Sequence, residues 1–129
     1  MASTNVVTPK EYSNGLKVLT VSMTCASDSP DFSDVVLEER SKRLVQATIV
    51  PGATGPTDDS DLSLTDSITG VNLVATSGAN AVDNATTNVI APDNTSNIVV
   101  GGLTLSIANN AVNNASVTIY LVFTSRYLG

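Results

Sequence analysis

The chain has 129 residues, enough for one domain whose core needs neither a metal nor a disulfide to hold it. Hydrophobic residues make up 42% of it, charged residues 14%, and Ser, Thr and Asn together about a third. A net charge of −6 argues against nucleic-acid binding, which takes clustered Lys and Arg, and the absence of His removes the commonest general base and metal ligand.

Residues 1–14 are polar and read as an N-terminal arm, with residues 15–129 forming the domain proper. From Gly15 the pattern alternates strictly: Leu19, Val21, Met23 and Cys25 fall on one side, Thr20, Ser22 and Thr24 on the other. A period of two with β-branched residues means a half-buried strand. The stretch 26–34 is a loop by its Ser, Asp and Pro content. Residues 34–50 admit two readings. Asp31 and Asp34 could cap a helix, but the apolar residues gather at the two ends with EERSKR between them. That favours a hairpin with a charged turn.

Residues 51–61, with two prolines and two glycines, form a turn-rich loop. Leu62–Thr65 alternates again, a turn follows at 66–70, and Val71–Ala75 is a short apolar run. Residues 77–88 are small and polar, without the periodicity of a core element. Ile98–Ile107 reads as a strand bent at Gly101-Gly102. After an Asn-rich turn at 108–115, Val117, Ile119, Leu121 and Phe123 make the inward face of a last strand. The expected fold is all-β, a single antiparallel β-sandwich of about seven or eight short strands with an extended N-terminal arm. A closed barrel fits less well, because the strands are unequal and the loops irregular.

Catalytic and ligand motifs are sparse. Asp58, Asp59, Asp61 and Asp66 form the densest acidic group and could hold a hard cation, but the EF-hand glycine and terminal glutamate are missing. Asp beside Pro and Gly is also ordinary turn chemistry. A glycosidase-like pair could draw on the same residues, yet such sites sit in grooves usually lined with aromatic rings, and only three Tyr and two Phe are present, with no Trp. A Ser or Cys nucleophile would have no His to serve it, and no spacing supports a Ser–Lys pair with Lys10, Lys17 or Lys42. GATGP at 52–56 lacks the Lys of a phosphate-binding loop. The single Cys25 excludes an intramolecular disulfide and reads as a small buried hydrophobe. No secretory signal and no apolar run of membrane-spanning length is visible. The expectation is a soluble non-enzyme with no cofactor, no metal, and no nucleic-acid or membrane partner.

The run ATIVPGATGPTDDSDLSLTDSITGVNLV (47–74) resembles small tailed-bacteriophage virion proteins, in which a strand ends in a proline loop followed by "PT", an Asp, alternating apolar residues, "TD" and a glycine turn. Pro56, Thr57, Asp61, Leu62, Leu64, Thr65, Asp66 and Gly70 carry the likeness. GGLTLSIANNAVNNASVTIYLVF (101–123) looks like the closing hairpin of the same proteins. The resemblance covers roughly residues 43–123 and departs from the pattern at Ser60, where an aromatic is common, and at ATSGAN, where a longer glycine-rich link is usual. It implies a phage virion structural protein, made in the host cytoplasm and acting in the virion. Small size, the lack of catalytic residues, the Ser/Thr/Asn-rich composition and the arm lead to the expectation of a capsid decoration or cement subunit, a homo-oligomer binding the major capsid protein or other virion proteins. A neck, tail or fibre adaptor, or a host-adhesion module, is the alternative.

Charge distribution points to where a partner would sit. Every acidic residue lies at or before Asp93, and the last 36 positions carry one charge, Arg126. An uncharged terminal hairpin is either covered within its own fold or meets another subunit. The arm could reach about 50 Å when extended and add to a neighbouring sheet edge. Val6, Val7, Lys10 and Tyr12 of the arm, with Arg126 and Tyr127, are the expected partner-interface residues.

Overall fold

The computed structural model describes residues 3–93 and 98–125. Among the described residues nine strands follow one another: β1 (Thr4–Glu11), β2 (Leu16–Thr24), β3 (Val35–Leu37), β4 (Lys42–Pro51), β5 (Asp61–Asp66), β6 (Asn88–Ile90), β7 (Ile98–Val99), β8 (Leu103–Ala108) and β9 (Ser116–Thr124). No helix occurs among the described residues, and the fold is all-β. Six strands form one antiparallel sheet in the order β1-β2-β9-β4-β6, with β7 also paired to β4; β3, β8 and β5 form a second.

The alternation seen in the sequence is what joins the sheets. Leu19, Val21 and Met23 of β2, Leu44, Ala47 and Ile49 of β4, and Val117, Ile119, Leu121 and Phe123 of β9 are buried together with Leu62 and Leu64 of β5 and Leu103, Leu105 and Ile107 of β8. Each fully buried Leu, Ile or Phe is worth about 1.5–3 kcal/mol of transfer free energy. This two-sided aliphatic layer is the core.

Three connections differ from the sequence reading. Residues 34–50 do hold two strands, but these do not pair as a hairpin: β3 joins β8 in the small sheet and β4 joins β9 in the large one. Glu39 is buried in the charged link that crosses between the sheets, its desolvation offset by Lys17 Nζ on one carboxylate oxygen at 2.7 Å and Lys42 Nζ on the other at 3.3 Å. Likewise 98–107 is two strands in two sheets, β7 on β4 and β8 on β5. The crossing requires Gly102, whose φ of +88° lies in the left-handed region and whose Cβ, if present, would stand 2.8 Å from the Leu37 carbonyl oxygen. The expected closing hairpin is therefore an arch, with β8 and β9 on opposite sheets. Its span is braced by Asn110, whose Nδ2 donates to the Pro30 and Val112 carbonyls and whose Oδ1 accepts the Thr57 and Val112 N–H groups.

Residues 71–82 are not a strand, yet they are not peripheral either. Leu73, Val74, Ala81 and Val82 enter the core. The segment also seals the outer edge of β5, through Leu62 N–H on Gly78 O, Leu73 N–H on Leu64 O and the Ser60–Val82 bridge.

The arm is a strand. β1 pairs along its whole length with β2 of its own chain, from Thr4–Thr24 to Glu11–Lys17. It contributes almost nothing to the core: its inner-face residues Val7, Pro9 and Glu11 stay exposed.

Candidate interaction surface

The acidic group of 58–66 is spent on loop bracing. Asp58 accepts the Asn84 N–H and Asp61 accepts the Asn80 N–H together with the Asn109 side-chain amide. Asp59 presents its own N–H to the Asp83 carboxylate. Asp66 is buried, with Oδ1 receiving the N–H groups of Ile68, Thr69 and Gly101 and Oδ2 that of Val100. Burial alone would raise its pKa, but the main-chain donors of Val100, Ile68, Thr69 and Gly101 outweigh it and hold the carboxyl below its ordinary value. Asp83 is lowered by the Asn88 side chain and the Asp59 N–H. Asp93 is lowered chiefly by the Thr76 N–H, which with Ser77 prevails against burial. Among the described residues, no three Cys, Asp or Glu side chains converge as a metal site would require.

The outer face of the six-stranded sheet is different in kind. Cross-strand registers set it out in rows: Val6–Ser22–Thr118–Val50, then Thr8–Thr20–Tyr120–Thr48–Val89, then Lys10–Val18–Val122–Gln46. A further row runs Tyr12–Leu16–Thr124–Arg43–Ile98. None of the twelve Asp and Glu residues belongs to it, although the chain carries a net charge of −6. Its charges are Lys10 and Arg43. Val6 and Val89 are about 60% exposed, and Tyr120, near the centre, is 39% exposed. Strand and residue spacings give the face roughly 700 Å², near the ~800 Å² that each partner brings to a standard protein interface. An aromatic centre with few charges is the composition of an interface core.

Of the residues singled out in the sequence, Val6, Lys10 and Tyr12 lie on this face, and the Lys10 ammonium stands 5.6 Å from the centroid of the Tyr12 ring. Val7 does not: it pairs with Val21 and points to the other side of the sheet. Arg126 and Tyr127 lie outside the described residues. The sequence reading missed Tyr120, Thr20, Thr48 and Val89. The uncharged outward positions of β9 were legible as alternation, but their alignment with those of β1, β2, β4 and β6 depends on pairing across most of the chain.

The free edge of β1 is guarded. Tyr12 N–H bonds Leu16 O at 2.8 Å, so the main-chain groups of even-numbered β1 residues bond to β2 and those of odd-numbered ones point outward to the free edge. Pro9 is among the outward set and has no N–H to offer a further strand. Comparison with known protein families, curated proteins and solved structures finds no match.

Proposed function

We propose that this chain is a non-enzymatic virion structural protein, a capsid decoration or cement subunit, that mounts on its target through the outer face of the larger sheet. The observation that carries the reading is the absence of every acidic side chain from that face in an otherwise acidic protein. Self-repulsion and the cost of desolvating carboxylates oppose burial of the loop-bearing surfaces, and neither acts on the Thr/Val face. The resemblance of residues 43–123 to small phage virion proteins supports a place in the virion, and the small size and Ser/Thr/Asn-rich composition support a decoration subunit, for which the partner is the major capsid protein. Commitment of Asp58, Asp61 and Asp66 to main-chain donors supports a role without catalysis.

Locating the protein in intact particles by labelled antibody or cryo-electron microscopy tests this directly. Many copies on the outer shell, with the β1-β2-β9-β4 face turned inward, is the expected result. A neck, tail or fibre position would move the chain to the adaptor or adhesion class. Absence from particles would overturn the reading.

A further inference from the structure

We infer that Asn14-Gly15, the turn joining β1 to β2, is a self-modifying site at which deamidation releases the N-terminal strand. The pair is the one Asn-Gly step in the sequence. It occupies a three-residue hairpin loop closed by Gly15 N–H on Tyr12 O at 3.3 Å and Tyr12 N–H on Leu16 O at 2.8 Å, with Gly15 at φ +86°.

The chemistry needs the Gly15 amide nitrogen to attack the side-chain Cγ of Asn14. Three features favour it. Gly15 has no side chain to crowd the approach, and its N–H makes only a long hydrogen bond. The Asn14 Oδ1 accepts the Leu16 N–H at 3.2 Å, which draws electron density from Cγ and closes a ring that contains the Gly15 nitrogen. The Asn14 side chain is exposed, and its amide nitrogen, the leaving group, has no partner among the described residues. Other asparagines are less well placed. The amide nitrogens of Asn84, Asn88, Asn109 and Asn110 are all held by acceptors, and each of these residues precedes one with a side chain.

The step balances with water alone. The Gly15 N–Cγ bond forms, the Gly15 nitrogen loses its proton, and the Cγ–Nδ2 bond breaks with ammonia leaving. Water then opens the resulting five-membered imide at either carbonyl, giving aspartate or isoaspartate. Isoaspartate adds a methylene to the main chain inside a loop whose two hydrogen bonds demand a fixed length. Beyond its ladder with β2, β1 is tied to the domain among the described residues by polar contacts of Ser3 and Asn5 with Ser33, and none of its residues is fully buried. Its loss would withdraw Val6, Lys10 and Tyr12 from the outer face and free the even-numbered N–H and C=O groups of β2 for another strand. An effect of that withdrawal on docking rests on the face proposed above; the modification and the release of β1 do not.

The test is to age the purified full chain in warm, mildly alkaline buffer, then map peptides by mass spectrometry and amide exchange on the same samples. Asn14 is expected to convert several-fold faster than any other asparagine, and the isoaspartate form to lose exchange protection at Val6, Thr8 and Lys10 while β9 keeps its own. Asn14→Gln should stay intact and protected, and Asn14→Asp, which adds charge without lengthening the chain, should keep β1 paired. Conversion of Asn14 no faster than that of Asn80 or Asn109 overturns the site. Full protection of β1 in the isoaspartate form overturns the release. Particle binding by unaged protein is read separately and bears only on the docking face.

Discussion

The Asp66 carboxylate accepts the main-chain N–H of Gly101, a residue 35 positions away, and with its other oxygen that of Val100. The same side chain caps its own turn at Ile68 and Thr69. One buried group thus ties the end of β5 to the crossing between β7 and β8, where the chain leaves one sheet for the other. Asp66→Ala would strand four donors, and at 1–3 kcal/mol for a badly unsatisfied group we expect a loss of about 3–5 kcal/mol in urea unfolding. Asp66→Asn, which keeps one acceptor oxygen, should cost less, about 2 kcal/mol. A loss under about 1 kcal/mol for Asp66→Ala would show that the tie is not structural.

Acid should unfold the protein, and neutral pH should leave it indifferent. Asp66, Asp83 and Asp93 are all held below the ordinary value of 3.8, by the main-chain and side-chain donors around them. A depressed folded-state pKa contributes stability that is fully present above the unfolded value and is lost as pH falls through the folded one. Unfolding free energy is therefore expected to be flat between about pH 5 and 8, where no His titrates, and to fall below about pH 4. Asp66→Asn should flatten the acid limb. The check is a series of denaturant melts across pH.

Tyr120 stands where the rows of the outer face cross its middle strand, between Thr20 and Thr48. Because the side chain is half in solvent, Tyr120→Ala should change stability by less than about 1 kcal/mol. As the central aromatic of the proposed interface it should weaken particle binding by about 2 kcal/mol, some thirtyfold. Tyr120→Glu should abolish binding while leaving the fold intact. Thermal melts beside particle co-sedimentation separate the two effects, and unchanged binding in both variants would remove the face from consideration.

Deleting residues 1–14 should leave a folded domain, since the core begins at β2 and no buried side chain lies in β1. It also removes Val6, Lys10 and Tyr12 from the face, so attachment to particles should weaken. Circular dichroism and the same co-sedimentation assay read both. A truncated chain that unfolds would mean that β1 protects the β2 edge as an obligatory part of the sheet.

What the sequence determined by itself was which residues face inward. Leu19, Val21 and Met23, or Val117, Ile119, Leu121 and Phe123, are buried because a strand presents alternate side chains to one face, and that period is local. The turn chemistry of Asp58 and Asp61 was legible for the same reason: a carboxylate beside Pro, Gly and Asn braces nearby main-chain donors whatever the fold around it. Alternation does not say which strand lies alongside. EERSKR does not form the hairpin turn that its charges suggested: the pairing of β3 with β8 and of β4 with β9 carries the chain from one sheet to the other, with Glu39 buried between Lys17 and Lys42 in the link. Val7 and Val6 are neighbours in an arm without a pattern, and they went to opposite faces once β1 took its register on β2. The acid-free face belongs to this second class. Its six strands come from residues 4 to 124, so it exists only where antiparallel pairing across the whole chain brings rows such as Thr8, Thr20, Tyr120, Thr48 and Val89 together.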